Sequence, residues 1–239
     1  MAHKGLLAGT LICLAIPAPS QDSPSAAVAL SEEALLETTP EGLRATNYVL
    51  SKTFDRGAKD MDAYTYLAKL LLQHALNLAD RHPAQARDFK RAALPITYNL
   101  AANTWPGWGD GQVAVRDHHR RLGLEAARLD VHLSAEVAPT AQRRVNSQWI
   151  LGAHLIAAGA YADAVAAFET SRTLAVDANL EQSATMAQGW IHLANTLAGT
   201  DETDALAVIE AKLIEEGGNG PFFAAQYAAA YAVFGGSSP

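Results

Sequence analysis

Apolar side chains recur at three- and four-residue intervals along most of the chain, and no segment alternates cleanly between apolar and polar. The first spacing gathers apolar groups on one face of a helix. Strict alternation would mark a half-buried strand, so the pattern predicts helices and no sheet. Ser31 reads as an N-cap with Glu32 and Glu33 in the first turn, where negative charge meets the helix dipole. Pro40 opens a second helix at the position where a missing N–H costs nothing. Leu43, Thr46 or Asn47, Leu50 and Phe54 share its face, and Arg56-Gly57 ends it. Asp60 or Asp62 caps a third, carrying Leu67, Leu70, Leu71, His74 and Leu78. His82-Pro83 starts a fourth, lined by Phe89, Ala93, Ile96 and Leu100. Pro95 lies inside that pattern. It lacks a donor and crowds the carbonyl of Arg91, which predicts a kink or a break.

Trp105-Pro106-Gly107-Trp108-Gly109-Asp110-Gly111 is the strongest loop signal. A long helix is expected after it, over about 112–137, with Val115, His119, Leu122, Ala126, Leu129 and Leu133 on one face. Pro139-Thr140 ends it and caps the next. Further helices are expected at about 141–158, 161–175, 180–199, 202–216 and 221–234. Gly217 to Gly220 separates the last two, and the final one carries Phe222, Phe223, Tyr227, Tyr231 and Phe234. The whole is an all-α chain of about eight to ten helices.

One stretch, Asn146 to Ala175, adds a motif to the periodicity. Leu151-Gly152, Gly159, Tyr161, Ala164 and Phe168 stand at fixed offsets across two helices and a tight turn. Gly152 allows close helix approach, Gly159 permits the turn, and Tyr161, Ala164 and Phe168 form one face of the second helix. The stretch resembles a tetratricopeptide repeat, with one good copy near 145–178 and a degenerate one near 187–220. In the second copy Leu193-Ala194 stands for Leu-Gly and Asp201 for the turn glycine, and the two leucines are 42 residues apart against 34 in the family. A lone helical hairpin cannot bury its apolar face, so the resemblance implies a helical-hairpin solenoid spanning 31–234, with the repeats at 141–216. It also implies a concave groove for a protein or peptide, presenting Asn146, Trp149, Ala153, Ile156 and Ala157 from one copy and Gln188, Ile191 and Asn195 from the other. The same side chains could instead pack on neighbouring helices.

Composition and charge narrow the setting. Residues 1–20 have the form of a secretory signal peptide: Lys4, an apolar run from Gly5 to Ile16, and small residues before a cut after Ser20, with a second possible cut after Ala27. The expectation is export to a periplasm or the extracellular space, in a bacterial setting, with no stable membrane insertion after cleavage. Residues 21–30 read as a disordered linker and 235–239 as a frayed tail. Cys13, the one cysteine, lies in the leader, so the mature chain has no thiol chemistry. A net charge of −7 argues against a nucleic-acid partner.

Candidate chemistry is sparse. Trp105 and Trp108 could stack on a sugar ring or a peptide proline, or plug the space between helices. His118 and His119 are neighbours, about 100° apart on a helix, and do not make the i, i+4 pair of a helical metal site. Asp60, Asp62, Glu125 and Asp130 read as caps or solvated faces, and Arg143-Arg144 as exposed or meeting a phosphate or acidic peptide. No nucleophile elbow, phosphate loop or metalloprotease motif occurs, so no catalytic residue, metal or cofactor is assigned. The leading expectation is a non-catalytic scaffold for an unknown protein or peptide partner. Small-ligand or carbohydrate binding through the Trp105/Trp108 loop comes second, and an enzyme of unknown class third.

Overall fold

A computed structural model describes residues 38–56, 60–111 and 113–236. The leader, the linker and the helix expected after Ser31 lie outside the described residues, as do 237–239. Among the described residues there are nine α-helices, two short 3-10 turns and no strand. None of the helices is long and apolar enough to cross a membrane. They are α1 (Pro40–Arg56), α2 (Met61–Arg81), α3 (Ala86–Thr104), α4 (Asp117–Val137), α5 (Ala141–Ala157), α6 (Tyr161–Asp177), α7 (Glu181–Leu197), α8 (Thr203–Glu216) and α9 (Gly220–Phe234). Thr39 Oγ1 accepts the Gly42 amide ahead of α1, Asp60 caps α2 through the Ala63 amide, and Thr140 caps α5 through the Arg143 amide.

Two expectations are corrected locally. Of the kink or break expected at Pro95, there is no break, for α3 runs through it. The Leu94 carbonyl beside the proline accepts from Arg143 Nη2 at 2.9 Å, which ties this turn of α3 to α5. α4 starts at Asp117, five residues beyond the expected 112, because a ring nitrogen caps it there: His119 Nδ1 accepts the Arg116 amide at 3.1 Å. Val115 therefore precedes the helix.

From α5 onward the chain keeps a regular beat. α5, α6 and α7 are each 17 residues long and start at 141, 161 and 181. Gly159, Asn179 and Gly199 take positive φ at the three turns. Each turn closes with the same six-to-one bond: Ala160 to the Leu155 carbonyl, Leu180 to Ala175, and Thr200 to Asn195. Asn is the usual alternative to Gly in this left-handed position. The beat corrects the repeat register. The hairpins α5–α6 and α7–α8 start 40 residues apart, so Ile191 and His192, not Leu193-Ala194, stand where Leu151-Gly152 stand. The extra two residues fall at Asp201-Glu202, ahead of α8.

Consecutive helices pack against each other, and α3, α5, α7 and α9 also touch in sequence. They form an inner layer, with α4, α6 and α8 outside. This is the stacking of a helical-hairpin solenoid. Gly152 lies under the Phe168 ring, where a Cβ would sit 2.5 Å from it, and Ala164 and Phe168 are fully buried beside it. Gly189 serves Tyr227 of α9 in the same way, and the Tyr227 hydroxyl donates to the Met186 carbonyl at 2.7 Å.

The polar side chains read as solvated are partly core. Asp130 is fully buried. It accepts from Thr97 Oγ1 at 2.5 Å and from both terminal nitrogens of Arg143, joining α3, α4 and α5. Arg143 also lies over the Tyr98 ring, 4.9 Å from its centre, so it is committed inside the fold and free for no phosphate. Arg144 is exposed, as expected. His154 is buried, and its Nε2 donates to the Ala101 carbonyl at 2.8 Å.

Removing Asp130 strands the Arg143 charge. Asp130→Ala is expected to lose roughly 3–5 kcal/mol in urea denaturation, while Arg144→Ala changes little. Burial pushes the His154 imidazole down to about 4, against the pull of its bond to Ala101. The unfolded chain protonates this group near 6.5, so the native state is favoured fully above that pH and loses stability as pH falls from 6.5 towards 4. Denaturation midpoints across that window should fall in the wild type and flatten in His154→Gln.

Candidate functional site

Proline and glycine set the geometry of the tryptophan loop. Pro106 to Trp108 form a 3-10 turn, and Gly109 takes φ 67° to leave it. A Cβ on Gly107 would fall 2.2 Å from the Trp105 ring, so only glycine lets the loop fold back over that indole. Trp105 is 1% exposed, and its Nε1 donates to the Ala153 carbonyl of α5 at 2.8 Å. Trp108 Nε1 donates to the Ala102 carbonyl at 2.7 Å, but its ring remains 37% exposed. The two indoles meet edge-on at 4.9 Å.

All four tryptophans of the chain meet here. Trp105 lies 6.2 Å from Trp149 and 5.6 Å from Trp190, and Trp108 lies 6.1 Å from Trp149. Trp190, fully buried between Phe168 and Tyr227, is the member that the sequence reading missed. Its position among Ala187, Leu193 and Ala194 on the inner stripe of α7 was the available signal. Trp105 is thus a plug, and of the proposed ligand loop only Trp108 offers a ring face to a guest.

Beside the plug the inner layer leaves a cavity of about 720 Å³. Its rings are Tyr98, Trp108, Trp149, Phe222 and Phe223. Its carboxamides are Gln142, Asn146, Gln182, Asn219 and Gln226, and Glu181 is the one charged side chain among the lining residues. The lining comes from α3, α5, α7 and α9, from Trp108 in the loop after α3, and from the residues that enter α7 and α9. Most of the amides are spoken for: Gln142 donates to Asn146 Oδ1 at 2.8 Å and pairs with Ser183, and Gln182 donates to the Gly217 carbonyl at 2.9 Å. Two polar atoms on the lining side chains have no partner, Trp149 Nε1 and Gln226 Oε1.

Of the eight groove residues implied by the repeat, the structure brings Asn146 and Trp149 to this cavity. The other six lie elsewhere. Ala153, Ile156 and Ile191 are buried in the core and Ala157 packs against it, because the Trp105 plug and the α7 stripe cover that end of the inner face. Gln188 faces His192 Nε2 at 3.0 Å, and Asn195 donates to Glu202 Oε1 at 3.0 Å. Glu202 also holds His192 Nδ1 at 2.6 Å, and these contacts keep its carboxyl below the usual range, His192 first. This carboxylate–imidazole pair resembles half of a catalytic triad, but the outer ring nitrogen meets an amide rather than a nucleophile.

His118 and His119 do converge, contrary to expectation, because both Nε2 atoms turn to one oxygen of Asp62 on α2, at 3.0 and 2.8 Å. Those two bonds, His118 first, hold the Asp62 carboxyl below its ordinary value. The three ligand-type atoms lie within 4.8 Å of one another. Two features make the trio a clamp between the starts of α2 and α4 rather than a metal cradle. Arg116 Nη1 takes the second Asp62 oxygen at 2.9 Å. His119 Nδ1 accepts the Arg116 amide, which leaves the ring proton on Nε2, the atom that a metal would need bare.

The difference between the two loop tryptophans is measurable. Trp105→Ala should cost about 3–5 kcal/mol in urea denaturation, as for a large buried aromatic. Trp108→Ala should cost about 1 kcal/mol, the loss of one hydrogen bond and a half-open ring.

Compared with known proteins, the chain matches no family model, no curated protein and no solved structure.

Proposed function

We propose that the protein is an exported, non-catalytic scaffold that holds an uncharged segment of a partner protein in the groove between its inner helices. The observation that carries this reading is the pair of unpartnered polar atoms, Trp149 Nε1 and Gln226 Oε1, on side chains lining the 720 Å³ cavity. A buried donor or acceptor without a partner is costly, so a cavity bordered by both favours a guest that supplies what they lack. Aromatic faces and carboxamides with almost no charge suit a peptide main chain better than an ionic ligand. The tetratricopeptide resemblance supports the same surface, since Asn146 and Trp149 are groove positions of that family. The leader supports export. A sugar ring is the second reading, favoured by the exposed faces of Trp108 and, at 60% exposure, Phe222.

A photo-crosslinking residue at Asn219, on the cavity, should yield a protein adduct in the cell-envelope fraction. The same residue at Arg172, exposed on α6, should not. Binding of the wild type on a glycan array, with no adduct from Asn219, would overturn the scaffold reading in favour of the sugar.

A further inference from the structure

The hydrogen-bond inventory of the cavity points to the group it reads. Gln142, Asn146 and Ser183 bond to one another, and Gln182 to the Gly217 carbonyl. Of the lining atoms closed to solvent, one donor on α5, the Trp149 indole N–H, and one acceptor on α9, the Gln226 side-chain oxygen, have no partner. The two residues are 5% and 7% exposed. Resting on the scaffold reading above, we infer that this end of the groove is a subsite for a carboxamide side chain, a glutamine or asparagine of the bound peptide.

The chemistry selects it against its neighbours. A carboxamide carries both complements, a carbonyl for the indole N–H on α5 and an N–H for the Gln226 oxygen on α9. A carboxylate of the same shape satisfies Trp149 and repels the Gln226 oxygen. An ammonium does the reverse, and an alkyl chain leaves both atoms unmet. The flat amide also lies well against rings such as Trp149 and Phe223. Both atoms are closed to solvent in the free protein. Trp108 is the exposed member of the cluster, tilted 49° against Trp149 and tied by its indole N–H to the Ala102 carbonyl.

The four indole N–H signals of ¹⁵N-labelled full-length protein, assigned by single Trp→Phe variants, report on this directly. N-acetyl-glutamine methylamide should move the Trp149 signal downfield and perturb Trp108, while Trp105, sealed on Ala153, stays still. Saturation is expected at a Kd on the order of 1 mM, given the size of the probe. The norleucine counterpart should leave Trp149 unmoved, the glutamate counterpart should bind more weakly than glutamine, and Gln226→Met should weaken the glutamine probe by about five- to tenfold. A still Trp149 signal, or an equal response to norleucine, overturns the subsite. A stronger response to N-acetylglucosamine overturns it in favour of a sugar. If Asn219 still crosslinks a protein while Trp149 stays still, the subsite fails and the scaffold stands; if neither responds, both fail.

Discussion

The insertion of one indole organises the inner face of this stack. Trp105 leaves the end of α3, crosses to α5, and delivers its N–H to the Ala153 carbonyl. A buried indole without that bond would carry an unmet donor, and with it the large ring becomes a net gain in buried area. The insertion sets conditions on its neighbours. Gly107 has to lack a side chain, Trp149 and Trp190 pack edge-on around the ring, and Phe234 at the end of α9 approaches to 6.3 Å. Four inner helices are thereby joined through one residue that belongs to a loop.

The plug also decides where anything can bind. A stack of helical hairpins presents a continuous inner face, and here Trp105 covers one end of it. The cavity is what remains beyond the plug, walled by ring faces and amides. Elsewhere in the same layer the Trp190 indole N–H is also without a partner, but the charged groups are well served. Asp130, Arg143, Thr97 and Ser147 satisfy one another between α3, α4 and α5. Full satisfaction there and two unmet atoms at the cavity are opposite uses of the same kind of side chain. The first specifies the packing, and the second leaves an open demand, the one on which the proposed scaffold role rests.

Much of the fold was legible because helices announce themselves locally. Thr39-Pro40, Asp60 and Thr140 mark starts within a few residues of sequence, and Gly159 marks a stop. Two kinds of information were hidden. Asn179 supports the same left-handed turn as Gly159 and Gly199, but an asparagine alone is too common to announce one, so the 20-residue beat could not be read. Charges on a helix look solvated until the neighbours are known, which is why Asp130 and Arg143 were read as surface. Of the candidate site, Asn146, Trp149 and Trp108 were legible as residues, yet from two separate arguments that nothing in the sequence joined.

The chain alone determined the periodicity, the caps and the turn residues, because each depends on side chains and backbone within a few positions. It therefore determined that the protein is all helical and built from hairpins. The tertiary structure decided which face of each helix is covered, which charges are paired, and that Trp108 of the loop lines one cavity with Asn146 and Trp149. Those outcomes depend on contacts between residues some fifty positions apart, such as Trp105 with Ala153 and Arg143 with Leu94. A local pattern can say that a ring or a charge is present, but only packing can say what it meets.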